Sequence, residues 1–132
     1  VLLLDANVCI DVLRGRRDVS ARLEANGPVG LFLCSVVKAE LSFGARLASD
    51  PMRAADLVDA FCAPFPSLPF DDACVDAYAR LRADLRVVGA SIGANDLAIA
   101  AIALTHDLGL VSDDRAAFAR VPELTVTSWR DA

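Results

Sequence analysis

Val1–Leu4 is apolar at every position, and this run constrains the fold more than any other feature of the chain. A strand with one face in water alternates apolar and polar residues. One that is apolar throughout is buried on both faces, as in a parallel sheet covered by helices. Leu31–Cys34 repeats the pattern, Leu110–Ser112 is strand-like, and Leu124–Thr127 reads as a last strand. The segments between them have helical periodicity, which parallel strands need for their crossovers. The expected fold class is therefore α/β, a three-layer fold with a central parallel β-sheet flanked by helices. A chain of 132 residues with 55% hydrophobic content can bury a real core, and one domain over residues 1–132 accounts for it.

The helical stretches can be placed from their breakers. Asp5-Ala6-Asn7 ends the first run, and Val8, Cys9, Val12 and Leu13 follow at helical spacing. Gly15 and Arg16-Arg17-Asp18 are expected to break that helix, with a second over Val19–Glu24 closed by Asn26-Gly27-Pro28. Val36–Leu47 carries one apolar stripe, and Asp50-Pro51 opens a helix through about Phe61, proline being suited to a first turn. Ser67–Phe70 reads as extended among the prolines at 64, 66 and 69. Asp71 or Asp72 is then expected to cap a helix through about Val87, and Val88–Ala94 to form a loop. Asp96–Thr105 is apolar on nearly every side, as a buried central helix must be. Arg115–Arg120 reads as a short helix after the Asp113-Asp114 turn.

Several functional classes are excluded. The longest apolar stretches, Leu97–Leu104 and Gly30–Val37, fall well short of the roughly 18–20 residues of a membrane span. Thirteen Lys and Arg against 18 Asp and Glu give a net charge of −5, so no basic coat grips nucleic acid by bulk electrostatics. Cys9, Cys34, Cys62 and Cys74 form no C-x-x-C pair and sit among apolar residues, as buried thiols do in a reducing cytoplasm. The single histidine, His106, cannot build a His-rich metal site and suits a helix C-terminus. No phosphate-binding glycine motif occurs, which disfavours nucleotide binding.

Four acids recur in one kind of place. Asp5 follows the first strand, Glu40 lies in the helix after the second, Asp96 opens the apolar central helix, and Asp113-Asp114 follows Leu110–Ser112. In an open parallel sheet the strand carboxyl ends and the following helix starts share one edge, where sites form. Singly, each acid reads as a helix cap, a first-turn residue or a solvated charge. Together they should converge, and a carboxylate pair at about 4 Å costs about 4 kcal/mol at an effective dielectric near 20. Protons or cations must neutralise such a cluster. Oxygen donors without His or Cys point to Mg²⁺ or Mn²⁺, ions that also serve phosphodiester hydrolysis.

Asp5-Ala6-Asn7, Glu40-Leu41-x-x-Gly44-Ala45, Gly93-x-Asn95-Asp96-Leu97-x-Ile99-Ala100, Val111-Ser112-x-Asp114 with Phe118, and Val126-x-x-Trp129 keep their order and spacing over nearly the whole chain. As a set they resemble the PIN-domain ribonucleases, and most closely the VapC-type toxins of bacterial toxin–antitoxin pairs. The resemblance implies a PIN-like fold and a cytoplasmic endoribonuclease using Mg²⁺ or Mn²⁺, with Asp5, Glu40, Asp96 and Asp114 as site acids. It also implies a cognate antitoxin that blocks the site, an RNA substrate, and commonly a homodimer. Two positions depart from the family pattern: Ala6 stands where a threonine is usual, and Ala117 where an aspartate often precedes the phenylalanine.

Within that frame Asp5 and Asp96 are expected to be metal ligands, and Glu40 a third ligand or the group orienting the attacking water. Asp114 is favoured over Asp113 as the fourth acid by position. Asn7 and Ser112 are candidate supporting residues. Twelve of the 13 basic residues are Arg, suited to bidentate phosphate contacts, and Arg14, Arg16 and Arg17 form the tight cluster expected beside the cleft. Two other readings stay open. A phosphohydrolase with an aspartate nucleophile usually wants D-x-D, where this chain has Asn7; a non-catalytic interaction module of the same fold would not need the acids.

Overall fold

The computed structural model describes residues 1–131. Five strands form one parallel sheet in the order β3-β2-β1-β4-β5: β1 (Leu2–Leu4), β2 (Leu31–Cys34), β3 (Ser67–Leu68), β4 (Gly109–Val111) and β5 (Val126–Thr127). β1 is central, with Leu2 opposite Leu31 on one side and Leu3 and Leu4 opposite Leu110 and Val111 on the other. Leu3, Leu4, Leu33, Leu110 and Val111 are completely buried, as the unbroken apolar runs require.

Helices α1 (Ala6–Leu13), α2 (Arg17–Asn26), α3 (Ser35–Arg46) and α4 (Pro51–Cys62) join β1, β2 and β3. Helices α5 (Val75–Val87) and α6 (Ala94–Thr105) return the chain to β4, and α7 (Arg115–Phe118) leads to β5. The first group packs among itself, α6 packs on α5, α7 and β4, and α3 meets α6. Right-handed crossovers in opposite directions put the two groups on opposite faces of the sheet. Ile99, Ala100, Ala101, Ile102 and Ala103 of α6 are fully buried, which explains a helix with almost no polar face.

The structure changes some expected boundaries. Arg16-Arg17-Asp18 starts α2 rather than only ending α1: Asp18 lies in its first turn, where a negative charge is favoured, and is held by Arg16 at 2.7 Å. Neither Asp71 nor Asp72 caps α5; a 3₁₀ turn at Asp72–Cys74 intervenes, with Cys74 as the residue before the helix. α6 begins two residues before Asp96, α7 stops at Phe118 rather than Arg120, and the last strand is confined to Val126–Thr127. All four cysteines are free and buried, and His106 closes α6. Among the described residues no helix is long and apolar enough to cross a membrane.

Candidate active site

Strand order reverses direction at β1, because β2 lies to one side of it and β4 to the other. At such a switch point the loops leaving two neighbouring strands diverge onto opposite faces, and a crevice opens beyond their carboxyl ends. Asp5 leaves β1 at this point and Ser112 leaves β4. They are joined directly, since the Ser112 hydroxyl donates to Asp5 Oδ2 at 2.7 Å.

Asp5 is 4% exposed. Its Oδ1 accepts the backbone N–H of Ala6 at 2.8 Å, so it caps α1 while its other oxygen meets Ser112. The Asn7 amide donates to Ser112 Oγ at 3.2 Å and, more weakly, to Asp5 Oδ2 at 3.4 Å. Asn7 Oδ1 in turn accepts the backbone N–H of Asp113 at 3.1 Å. Ser112 Oγ also accepts the backbone N–H of Asp114 at 3.1 Å. A fully buried hydroxyl and one half-buried amide thus tie the β1 and β4 loops into a single unit.

The remaining acids approach from helices. Glu40 on α3 and Asp96 in the first turn of α6 are half-buried, whereas Asp114, which caps α7 through its contact with the Ala117 N–H, is exposed. Burial raises the carboxyl of Asp5 above the ordinary aspartate range, and the charge of Asp114 adds to it, while the Ser112 and Ala6 hydrogen bonds oppose both. Burial likewise raises Glu40, with the charges of Asp5 and Asp96 next and Asn95 opposing. Asp96 is raised by burial, then by Asp5 and Asp114. Asp5 and Asp96 thus each feel, or are felt by, the other three acids, while Glu40 and Asp114 flank them.

The Asp113 carboxylate is engaged on another side. Its Oδ2 accepts from Arg130 Nη1 at 2.6 Å and its Oδ1 from Ser128 Oγ at 3.1 Å, both in the segment after β5. Arg130 also grips Asp11 through Nε and Nη2, at 2.7 and 2.9 Å. The sequence reading missed Arg130 and Asp11. A signal was present: Asp11 follows Val8 by one helical turn and so lies on the buried face of α1.

Beside Glu40 a cleft of about 360 Å³ runs between α1, α3 and α4, lined mainly by apolar side chains together with Arg14 and Gly44. No side chain approaches the Gly44 position within 4 Å, so the face shared with Glu40 is open. Of the early arginine cluster, Arg14 lines this cleft and Arg16 is turned to Asp18 instead.

The donor set is entirely oxygen, and its acids disfavour one another's charge, which is the condition a hard divalent cation relieves. Among the described residues no group of three or more Asp, Glu, His or Cys side chains is arranged to hold a metal ion by itself. Mg²⁺ is commonly held by one or two carboxylates and keeps several waters, so this donor set fits it.

Fold and site together define a parallel α/β protein with a carboxylate site at the switch point of its sheet. The PIN domain family model matches residues 2–124. A ribonuclease VapC2 of Haemophilus influenzae is 30% identical over 96% of this chain and 96% of its own. A tRNA(fMet)-specific endonuclease VapC of Shigella flexneri is 29% identical with the same coverage of both chains. Among solved structures, VapBC2 from Rickettsia felis bound to a DNA fragment from their promoter superposes with a TM-score of 0.91 at 27% identity, covering 98% of each chain. The chain belongs to the PIN-domain family, among its VapC-type members.

Proposed function

We propose that this protein is a Mg²⁺- or Mn²⁺-dependent endoribonuclease acting as the toxin of a type II toxin–antitoxin pair. The observation that carries the reading is a buried Asp5, held by Ser112 where the sheet changes direction, with Glu40, Asp96 and Asp114 each near enough to interact with its charge. Relatives named as ribonucleases and as a tRNA(fMet)-specific endonuclease support RNA as the substrate class.

Asp5 and Asp96 would hold the cation directly, with Asp114 holding a second cation or a bound water. Glu40 would be a third ligand or would orient the attacking water. The bound cation supplies charge neutralisation for the phosphodiester and a more acidic water as nucleophile. Ser112 and Asn7 hold the Asp5 carboxylate in one orientation, which lowers the reorganisation needed when substrate arrives. Arg14, at the cleft, is placed to meet a phosphate of the RNA strand.

The solved VapBC complex supports an antitoxin partner for this chain as well. The apolar cleft ending at Glu40 suits a helix or strap from such a partner, and exposed Phe43 on α3, Leu47 just after it, and Met52 and Leu57 on α4 add apolar surface for it or for a homodimer. A cytoplasmic location and a single domain over residues 1–132 complete the reading.

RNA cleavage by the purified protein tests it. Cleavage should require Mg²⁺ or Mn²⁺ and stop with EDTA. Asp96→Asn should abolish it with an unchanged circular dichroism spectrum. Cleavage that survives either treatment rejects the metal mechanism; no cleavage and no metal binding at millimolar concentration favours a non-catalytic interaction module.

A further inference from the structure

We propose that Arg130 is a positioning residue that keeps Asp113 out of the acidic site and so makes Asp114 its fourth carboxylate; this rests on the cation-binding reading above. Asp113 and Asp114 are adjacent, both exposed, and both follow the strand that delivers Ser112 to the crevice. Position in the sequence favours Asp114 but supplies no physical reason for it. Their side chains have opposite fates: Asp114 adds to the charge felt by Asp5 and Asp96, whereas both oxygens of Asp113 are occupied, one by Arg130 and one by Ser128.

The guanidinium can do this because it is anchored elsewhere. Its Nε and Nη2 bind both oxygens of Asp11, which is 8% exposed on α1, leaving Nη1 aimed at Asp113. The fork geometry matters, since an ammonium is a point charge and cannot present two planar edges to two carboxylates. The segment carrying Arg130 is fixed as well: the Arg130 backbone N–H donates to Ser128 Oγ at 3.2 Å and that of Asp131 to Asp18 Oδ2 at 2.9 Å. Residues 128–131 form a strap across α1 and the β4 loop. Without its cation, Asp113 would be a loose carboxylate next to Asp114, with its own backbone hydrogen-bonded to Asn7 of the site.

The test is a calorimetric Mn²⁺ titration without RNA on four proteins: wild type, Asp113→Asn, Arg130→Met and the double variant. Asp113→Asn should bind Mn²⁺ within about twofold of wild type. Arg130→Met should bind it about fivefold or more tightly, the range for groups sharing one ion-pair network. The double variant should return to the wild-type affinity, because the gain comes from the freed Asp113. Arg130→Met leaves Asp11 buried without its cation, so the same set is also made on Asp11→Asn, which removes that charge. Weaker binding by Asp113→Asn alone would overturn the proposal, since Asp113 would then already be a ligand. An Arg130→Met affinity equal to wild type, or a gain that persists in the double variant, would overturn it too. No Mn²⁺ binding by the wild-type protein rejects the cation reading itself and this proposal with it; binding that ignores Arg130 rejects the proposal alone.

Discussion

Ser112→Ala removes one oxygen, and the structure gives a definite size to the loss. The hydroxyl is fully buried, donates to the Asp5 carboxylate at 2.7 Å, and accepts from the Asn7 amide and the Asp114 backbone. A hydrogen bond to a charged group is worth about 1.5–3 kcal/mol net. The Asp114 N–H is near solvent and can turn to water, so it adds little; the Asn7 amide keeps its longer contact with Asp5. The expected cost is about 2–3 kcal/mol, or roughly 6–10 °C in Tm for a domain of this size. The sign with pH follows from the same bond, which opposes the burial that raises Asp5. Its loss raises Asp5 further, so the cost should be largest where Asp5 is ionised and shrink as pH falls through its folded value. Thermal melts of wild type and variant in EDTA, between pH 4 and 8, measure this directly. RNA cleavage should fall about 10- to 100-fold, since each 1.36 kcal/mol is tenfold in rate. A Tm difference that is below about 2 °C, or that does not narrow at low pH, would refute the reasoning.

Asp96→Asn should raise Tm in EDTA at neutral pH even though it removes a site residue, because it relieves the repulsion that Asp5 and Asp114 exert on it; a lower Tm would show that Asp96 is structurally stabilising. Asp5, Glu40 and Asp96 all have raised folded-state values, so their contribution to stability is present at low pH and lost as pH rises through those values. Mg²⁺ should therefore raise Tm more at pH 7.5 than at pH 4.5, checked by scanning fluorimetry with and without the ion. Phe118 is fully buried, and Phe118→Ala should cost about 3–5 kcal/mol by urea denaturation while α6 and the sheet persist.

The sheet was readable because burial on two faces leaves a composition that tolerates few alternatives: Leu2–Leu4 and Leu31–Cys34 became strands almost where the apolar runs placed them. α6 was readable for the same reason. Boundaries failed where charge or local turns decide them. The Arg16–Asp18 pair resembles a loop in composition yet starts a helix, and Asp72–Cys74 is a 3₁₀ turn that no residue periodicity marks. The acids could be located because parallel topology assigns strand ends and helix starts to one edge. Position favoured Asp114 over Asp113 at that edge, but what holds the Asp113 side chain away could not be read. That depends on Arg130, 17 residues beyond Asp113 and 119 beyond Asp11, contacts that exist only after β5 has docked beside β4.

The central claim is that the acids at the switch point hold a divalent cation. An anomalous difference map from a crystal of the wild-type protein soaked in Mn²⁺ tests it most directly. The account predicts a peak beside Asp5 within reach of Asp96 and Asp114, absent from an Asp96→Asn crystal treated in the same way. No peak at that crevice, or one that Asp96→Asn leaves unchanged, would contradict it.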